Sequence, residues 1–348
     1  MNWVHICFLL VFILLDIIIV RGVLLRSIKM YKDIQFEDNN YIGAAILYFR
    51  ESYNISQRKL CKGLCSITTL SRIEAGERDV DALILENLLE RLGRMPYHFE
   101  LIVTDFDYEV YLIRKEIDKL IEEESIDEAY ILIKKYAQLT DGKGTPHKQF
   151  VLVCKSKLNE LKGGKCETTI DILIEAISCT VPDFNTNDIS NHFLSTMEFN
   201  IIIDIIDKMI VTNKTEQVYQ ILDQIIYYLN RYEQMEQNSR RFPKVAVLAS
   251  SFFMNHNDLD KALKICNRGI EKQKTTTKLN YIGDLLYNKA KILEIILKRS
   301  GKKDQAARKE CLKLFLEAYY LFDFFGDSDK GEKIKAHVRE EYQWEDID

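Results

Sequence analysis

Apolar residues recur at helical spacing along most of the chain, and few residues interrupt that pattern. From Phe106 the apolar positions advance in steps of four and three residues, through Val110, Ile113, Ile117 and Leu120. Such a stripe covers one face of an α-helix. The 348 residues contain only four prolines, so helices are rarely broken. The sequence therefore predicts an all-α fold.

The helical pattern repeats in pairs from residue 106 to residue 342. Beyond residue 140 the predicted helices cover 147–161, 168–179, 190–211, 214–232, 240–255, 258–273, 278–299 and 304–325. Pro146, Pro182 and Pro243 are expected at helix boundaries. Helix hairpins of about 40 residues that repeat along a chain are typical of an α-solenoid, whose stacked units form a concave binding surface. These hairpins resemble degenerate tetratricopeptide repeats.

Residues 40–95 form a separate module of short helices. Ser56 and Ser66 are good N-caps for helices that begin at Gln57 and Ile67, and Gly63 supplies the tight turn between those helices. A helix, a turn containing glycine and a second helix make the helix-turn-helix layout. The chain is therefore predicted to be a helix-turn-helix bundle followed by an α-solenoid.

Basic and short polar side chains cluster at the two capped helices. The basic residues attract phosphates, and the short side chains of the second helix permit close approach to a groove floor. The candidate DNA-binding residues of this cluster are Arg58, Ser66, Thr68, Thr69, Ser71 and Arg72. The expected partner is a double-stranded DNA operator.

The stretch IGAAILYFRESYNISQRKLCKGLCSITTLSRIEAGER, residues 42–78, resembles the phage-repressor-like (XRE) helix-turn-helix family. The resemblance implies that Gln57 contacts a phosphate at the start of the second helix. It also implies that Arg50 and Glu74 form an ion pair that bridges the first and third helices. The residues that would face base edges in the major groove are Ile67, Thr68, Ser71 and Arg72.

The charge balance of the module leaves an alternative open. Residues 40–93 contain seven Lys or Arg and seven Asp or Glu, and Glu77, Asp79 and Asp81 would oppose a DNA backbone. A helix-turn-helix kept for folding or for protein contact would make the chain a helical-repeat adaptor. Retention of operator-length DNA at moderate salt distinguishes the two hypotheses.

An XRE-like module followed by a tetratricopeptide-like array resembles the Rgg/PlcR/PrgX-type peptide-responsive regulators of Firmicutes. The segments LSTMEFNIIIDI at 194 and DLLYNKAKIL at 284 also look like a helix-turn-helix group from anaerobic Firmicutes. The resemblance implies a homodimer and a short signalling peptide bound in the repeats. The residues that it assigns to the peptide are Asn200, Asn280, Tyr281, Tyr287 and Asn288.

The first 29 residues are the exception to an otherwise ordinary composition. Residues 6–20 are apolar apart from Asp16, and Arg21, Arg26 and Lys29 follow them. Three interpretations stay open: translation that begins at Met30, a membrane anchor with the other domains in the cytoplasm, and an interfacial helix. Under the first of these the protein is cytoplasmic.

The sequence does not indicate an enzyme. It lacks a glycine-rich phosphate loop and the HExxH and GxSxG motifs. The eight cysteines form no CxxC pair, and the six histidines are scattered, with His147 and His256 near predicted helix ends. We therefore expect no catalytic residue, no cofactor and no metal. The net charge of the chain is −5, so electrostatic attraction to DNA must come from a local cluster of basic residues.

Overall fold

The computed structural model describes residues 41–77, 80–95, 101, 104–274, 279–301 and 304–343. Every regular element within these ranges is a helix, and no strand occurs among them. The predicted all-α fold is confirmed. None of the helices described is both long and apolar enough to cross a membrane. The apolar segment 6–20 and Asp79 lie outside the described residues.

The N-terminal module packs its described helices around a small apolar core. These helices are α1 (Tyr41–Ser52), α2 (Gln57–Cys61), α3 (Ile67–Glu74) and α4 (Ala82–Arg91). Ser56 and Ser66 cap α2 and α3, because their side chains accept from the backbone N–H groups of Lys59 and Thr69. The core takes one fully buried leucine from each of the last three helices: Leu60, Leu70 and Leu88.

The rest of the chain is a row of helix hairpins. The pairs are α5 (Asp105–Glu122) with α6 (Ile126–Leu139), α7 (Thr145–Leu161) with α8 (Cys166–Thr180), α9 (Thr196–Val211) with α10 (Thr215–Arg231), α11 (Glu236–Asn255) with α12 (Leu259–Lys274), and α13 (Ile282–Ser300) with α14 (Gln305–Phe325). The second helix of each pair also packs against the next pair, so the buried apolar surface continues along the array. A last helix, α15 (Ser328–Tyr342), packs on α14.

The prediction of one helix over 190–211 is wrong. A 3₁₀ turn at Ile189–Asn191 comes first, and α9 begins only at Thr196. Ser195 and Glu198 form a capping box, in which each side chain accepts from the backbone N–H of the other residue. Such a box is a helix start signal. It interrupts an apolar pattern that by itself looks continuous.

The prediction that Pro243 marks a helix boundary is also wrong, since the proline lies inside α11. Polar side chains hold the turns that precede it. Gln237 donates to the hydroxyl of Thr196 at 2.5 Å, and Asn238 donates to the carbonyl oxygen of Tyr232 at 3.0 Å. These contacts offset the backbone hydrogen bond that proline cannot make. The sequence pattern predicts no helix after residue 325, whereas the structure has α15 there.

A buried ion pair joins the N-terminal module to the repeats. Arg91, at the end of α4, is 2% exposed, and its guanidinium donates to the two carboxylate oxygens of Glu198 at 2.5 and 3.3 Å. It also donates to the carbonyl oxygens of Leu60, Lys62 and Thr180. Burial alone would raise the pKa of Glu198, but the charge and hydrogen bonds of Arg91 lower it, so the pair is ionised.

Gly63, in the turn between α2 and α3, lies directly against the end of α8. Its φ is +75°, and a Cβ there would lie 2.0 Å from the carbonyl oxygen of Thr180 and 2.8 Å from Cδ of Pro182. The carbonyl oxygen of Gly63 accepts from the Thr145 hydroxyl at 2.6 Å. Glycine is therefore required both by the turn and by the contact with the repeats.

We expect Gly63→Ala to lower the free energy of unfolding by about 3 kcal/mol or more, because steric overlap adds to left-handed strain. Gly142→Ala is the matched control, since Gly142 has φ +71° and nothing within 4 Å of a Cβ. The control should cost only about 1 kcal/mol of strain. Urea unfolding followed by circular dichroism measures both values. Equal losses would contradict the tight contact with α8.

Glu90 in α4 forms a second link to the start of α9. Its carboxylate accepts from the backbone N–H of Thr196 at 2.8 Å and from the Thr196 hydroxyl at 2.7 Å. Burial, reinforced by the charge of Glu86, raises the pKa of Glu90 to about 7, and its two hydrogen bonds with Thr196 only partly oppose that change. The carboxyl group therefore titrates near neutral pH in the folded protein.

Because folding raises this pKa from 4.5, the folded state holds the proton more tightly, and the contribution of Glu90 to stability falls as pH rises from 4.5 to about 7. Glu90→Gln keeps an acceptor for Thr196 and removes the titration. Relative to wild type, the variant should gain about 1–2 kcal/mol of unfolding free energy between pH 5 and pH 8. Urea unfolding at both pH values tests this. Exposed Glu128→Gln is the control, and a gain of the same size there would refute the assignment.

Candidate nucleic-acid interface

Helix α3 presents a row of short polar and basic side chains to solvent. Its inward positions, Leu70, Ile73 and Glu74, are buried. Its exposed positions are Ile67, Thr68, Ser71 and Arg72. Ile67 is 47% exposed, and an outward apolar side chain on such a face suits contact with a thymine methyl group. The exposed row has the size and chemistry of a surface that reads base edges.

Ser66 and Thr69 organise the beginning of α3. The Ser66 hydroxyl accepts from the Thr69 backbone N–H at 3.0 Å, and the two hydroxyl oxygens lie 2.9 Å apart. Thr69 is half-buried, whereas Arg58 on α2 is exposed. The capped helix start carries a partial positive charge that favours a phosphate. Ser66 and Thr69 thus shape the helix terminus, and Arg58 contributes an exposed positive charge.

The Glu74 carboxylate ties the end of α3 to α1 and α2. The Arg50 guanidinium donates to Glu74 at 2.6 and 3.1 Å and to the carbonyl oxygen of Ile55 at 3.1 Å. The Gln57 amide donates to the same carboxylate at 2.7 Å. The structure brings Arg50 and Glu74 together as a two-point fork and adds Gln57 to it. Because that amide is engaged inside the module, the phosphate contact of Gln57 stays a prediction.

Arg72 faces solvent beside an acidic residue. Its Nε atom lies 4.0 Å from the Glu77 carboxylate, and the two side chains are 51% and 66% exposed. Exposed ion pairs of this kind contribute about 1 kcal/mol or less. A phosphate or a base edge can therefore replace Glu77 as the partner of Arg72 at small cost.

We expect Glu74→Gln to lower the free energy of unfolding by about 2–4 kcal/mol, since it leaves the half-buried Arg50 without its charge partner. Glu51 provides a matched control, because its 66% exposed carboxylate lies 3.7 Å from the same guanidinium. Glu51→Gln should cost less than about 0.5 kcal/mol. Chemical unfolding compares the two variants. A small loss in Glu74→Gln would show that the fork does not hold α3 in place.

Two of the residues assigned to a peptide link first helices of neighbouring hairpins. Asn288 of α13 is buried, and its amide donates to the Ser250 hydroxyl at 2.9 Å and to the carbonyl oxygen of Val247 at 3.2 Å, both in α11. The amide oxygen of Asn200 in α9 accepts from Lys244 of α11 at 3.5 Å. Their role in peptide binding stays a prediction.

The other three residues assigned to a peptide lie in or just before α13. Tyr287 is half-buried, and its ring centroid is 6.0 Å from that of Phe315 in the core of the last hairpin. Tyr281 is half-buried against the main core, and Asn280 is exposed. Tyr287 therefore contributes to packing, whereas Asn280 is open to solvent.

The sequence analysis missed the residues that join the two parts of the chain. Arg91 and Glu198 are one such pair, and His147 is another contact residue. The His147 ring is 1% exposed and lies between Asp81 at 2.9 Å and the Tyr136 hydroxyl at 2.7 Å. The capping box that contains Glu198 was the one local signal available. It indicates a helix start and does not indicate a partner far along the chain.

Residues 46–96 match the Helix-turn-helix family model. The N-terminal module is therefore a helix-turn-helix domain, a class of DNA-binding module. No curated protein matches the chain.

The chain has the fold of PlcR from Bacillus thuringiensis. PlcR in complex with the peptide PapR7 and DNA is 16% identical, with a TM-score of 0.50 over 85% of this chain and 99% of PlcR. The apo form of PlcR is 15% identical, with a TM-score of 0.51 over 86% of this chain and 100% of PlcR. The SHP pheromone receptor Rgg2 from Streptococcus dysgalactiae is 15% identical over 86% of this chain and 99% of Rgg2, with a TM-score of 0.44. The predicted resemblance, a helix-turn-helix domain followed by PlcR-like helical repeats, is confirmed.

Proposed function

We propose that the protein is a sequence-specific DNA-binding transcriptional regulator. The observation that carries the proposal is the exposed face of α3 in a domain that matches the Helix-turn-helix family model. Gly63 and Arg91 contact the repeats, whereas Ile67, Thr68 and Ser71 of α3 are exposed. The face formed by Ile67, Thr68 and Ser71 is therefore left open to a major groove.

A homodimer is part of this proposal, because one domain offers few phosphate contacts. The domain carries nearly equal numbers of acidic and basic residues, so a single copy gains little electrostatic free energy on DNA. Two copies would place their α3 helices about 34 Å apart, on successive major-groove turns of an imperfect palindrome. We place this regulator in the cytoplasm, where its operator is accessible.

We further propose that a short peptide, bound on the concave face of the repeats, controls DNA binding. The similarly folded PlcR was crystallised with a peptide and DNA. In the present chain the first turn of α9 carries Glu198, which holds Arg91, and Asn200 follows two residues later. A peptide that shifts α9 would therefore shift the helix-turn-helix domain and change the population of dimers that fit the operator.

Chromatin pull-down sequencing of a C-terminally tagged copy would identify the operator, and fluorescence anisotropy would then measure affinity. We expect Arg72→Ala to weaken operator binding about tenfold or more and Thr68→Ala by a smaller factor, because both remove contacts to base edges. Arg299→Ala, an exposed arginine of α13, is the charge-matched control and should bind as wild type does.

Wild-type affinity in both α3 variants would show that this face is not the docking face. A chromatin profile without shared sites, from folded and expressed protein, would contradict sequence-specific binding. That profile would favour the second hypothesis, a helical-repeat adaptor whose helix-turn-helix is structural.

A further inference from the structure

A cavity of about 220 Å³ lies where the helix-turn-helix domain meets the repeats. Its walls come from α2, from the end of α4 and from the segment between α8 and α9. The side chains that matter for its chemistry are Lys59, Lys62, Arg91, Asp188, His192 and Phe193. The cavity is thus built by two domains, and none of its lining residues belongs to α3.

Two of the three cations that line this cavity are already paired. Arg91 is neutralised by Glu198, and Lys62 forms an ion pair with Asp183. Asp188 accepts a hydrogen bond from the amide of its neighbour Asn191.

Lys59 is different from these residues. Among the described residues no carboxylate lies within ion-pair distance of its ammonium group, which is 5.6 Å from the centroid of the Phe193 ring. Lys59 is therefore the cation of this lining that has no ion-pair partner in the described part of the chain, while Asp188 keeps its negative charge. An anion with an apolar body would satisfy both the ammonium group and the aromatic wall.

The second indication is an unsatisfied polar atom. Nε2 of His192 is buried and has no hydrogen-bond partner within the described structure. A buried polar group without a partner costs about 1–3 kcal/mol, so such atoms usually mark a missing partner. His192 belongs to the repeat side of the cavity, whereas Lys59 belongs to the helix-turn-helix side. The lining thus brings together a cation from one domain and an unsatisfied imidazole nitrogen from the other.

The volume of the cavity further restricts the class of ligand that it can bind. A cavity of about 150 Å³ is sufficient for a molecule such as benzene. The 220 Å³ here exceed what an inorganic anion needs, and Val181 and Phe193 supply apolar wall. We propose that this cavity binds a small organic anion, with its carboxylate or phosphate on Lys59 and His192 and its apolar part against Phe193.

Such a ligand would touch both domains at once and would therefore stabilise their docked arrangement. Its effect on operator affinity rests on the proposed function, whereas its binding to the protein does not. Binding of the ligand to the protein and its effect on operator affinity are measured separately. Failure of the binding proposal is therefore distinguishable from failure of the proposed function.

The test is isothermal titration calorimetry of the full chain, without DNA, with benzoate and with phenyl phosphate at matched ionic strength. Benzylamine, which has the same ring and the opposite charge, is the ligand control. We expect at least one anion to bind saturably, and Lys59→Gln and His192→Phe each to weaken it about tenfold or more. Exposed Lys264→Gln, on α12, should bind as wild type does.

Comparison of benzoate with phenyl phosphate shows whether the site prefers a carboxylate or a phosphate. No saturable binding of either anion up to about 10 mM would overturn the proposal. Equal binding of benzylamine, or undiminished binding in Lys59→Gln, would also overturn it. Lys59 is an exposed residue, so its variant keeps the test decisive if His192→Phe does not fold.

Discussion

The relation between the two domains depends on the buried ion pair between Arg91 and Glu198. Removing two charges from water is costly unless each hydrogen-bonding group finds a partner. Here all five guanidinium N–H donors are used, two of them on Glu198 and three on the carbonyl oxygens of Leu60, Lys62 and Thr180. One side chain therefore joins the α2–α3 turn, the end of α8 and the start of α9. Those three segments can satisfy it together only in one docked arrangement.

The first turn of α9 is the point where these constraints meet. Glu198 both caps α9 and holds Arg91. The Thr196 hydroxyl donates to Glu90 of α4 and accepts from Gln237 of α11. A displacement of α9 would consequently change contacts in the helix-turn-helix domain and in the next hairpin together. These contacts would connect the proposed peptide on the repeats to the orientation of α3 through a single helix.

The features that were predictable from the sequence are those that nearby residues determine. The caps Ser56 and Ser66 and the hairpin pattern depend on spacings within a few turns, and the structure contains them. The start of α9 was missed because apolar periodicity runs through 190–211 and conceals the cap at Ser195. Arg91 looked like any helix-terminal arginine, since its partner lies 107 residues further along the chain. Contacts of that kind follow from the stacking of hairpins, which the spacing of residues does not define.

The polar residues on the first helices constrain how a peptide could be recognised. An amide buried in an apolar helix needs partners, and Asn288 finds two of them in α11. A peptide could take this amide only by breaking a contact that holds α11 to α13. The link between Asn200 and Lys244 is long at 3.5 Å and therefore weak, so a peptide carbonyl or amide exchanges with it at small cost. Asn280 is exposed at the start of α13. Recognition in this chain would therefore begin at Asn200 and Asn280, and engagement of Asn288 would require the two hairpins to separate.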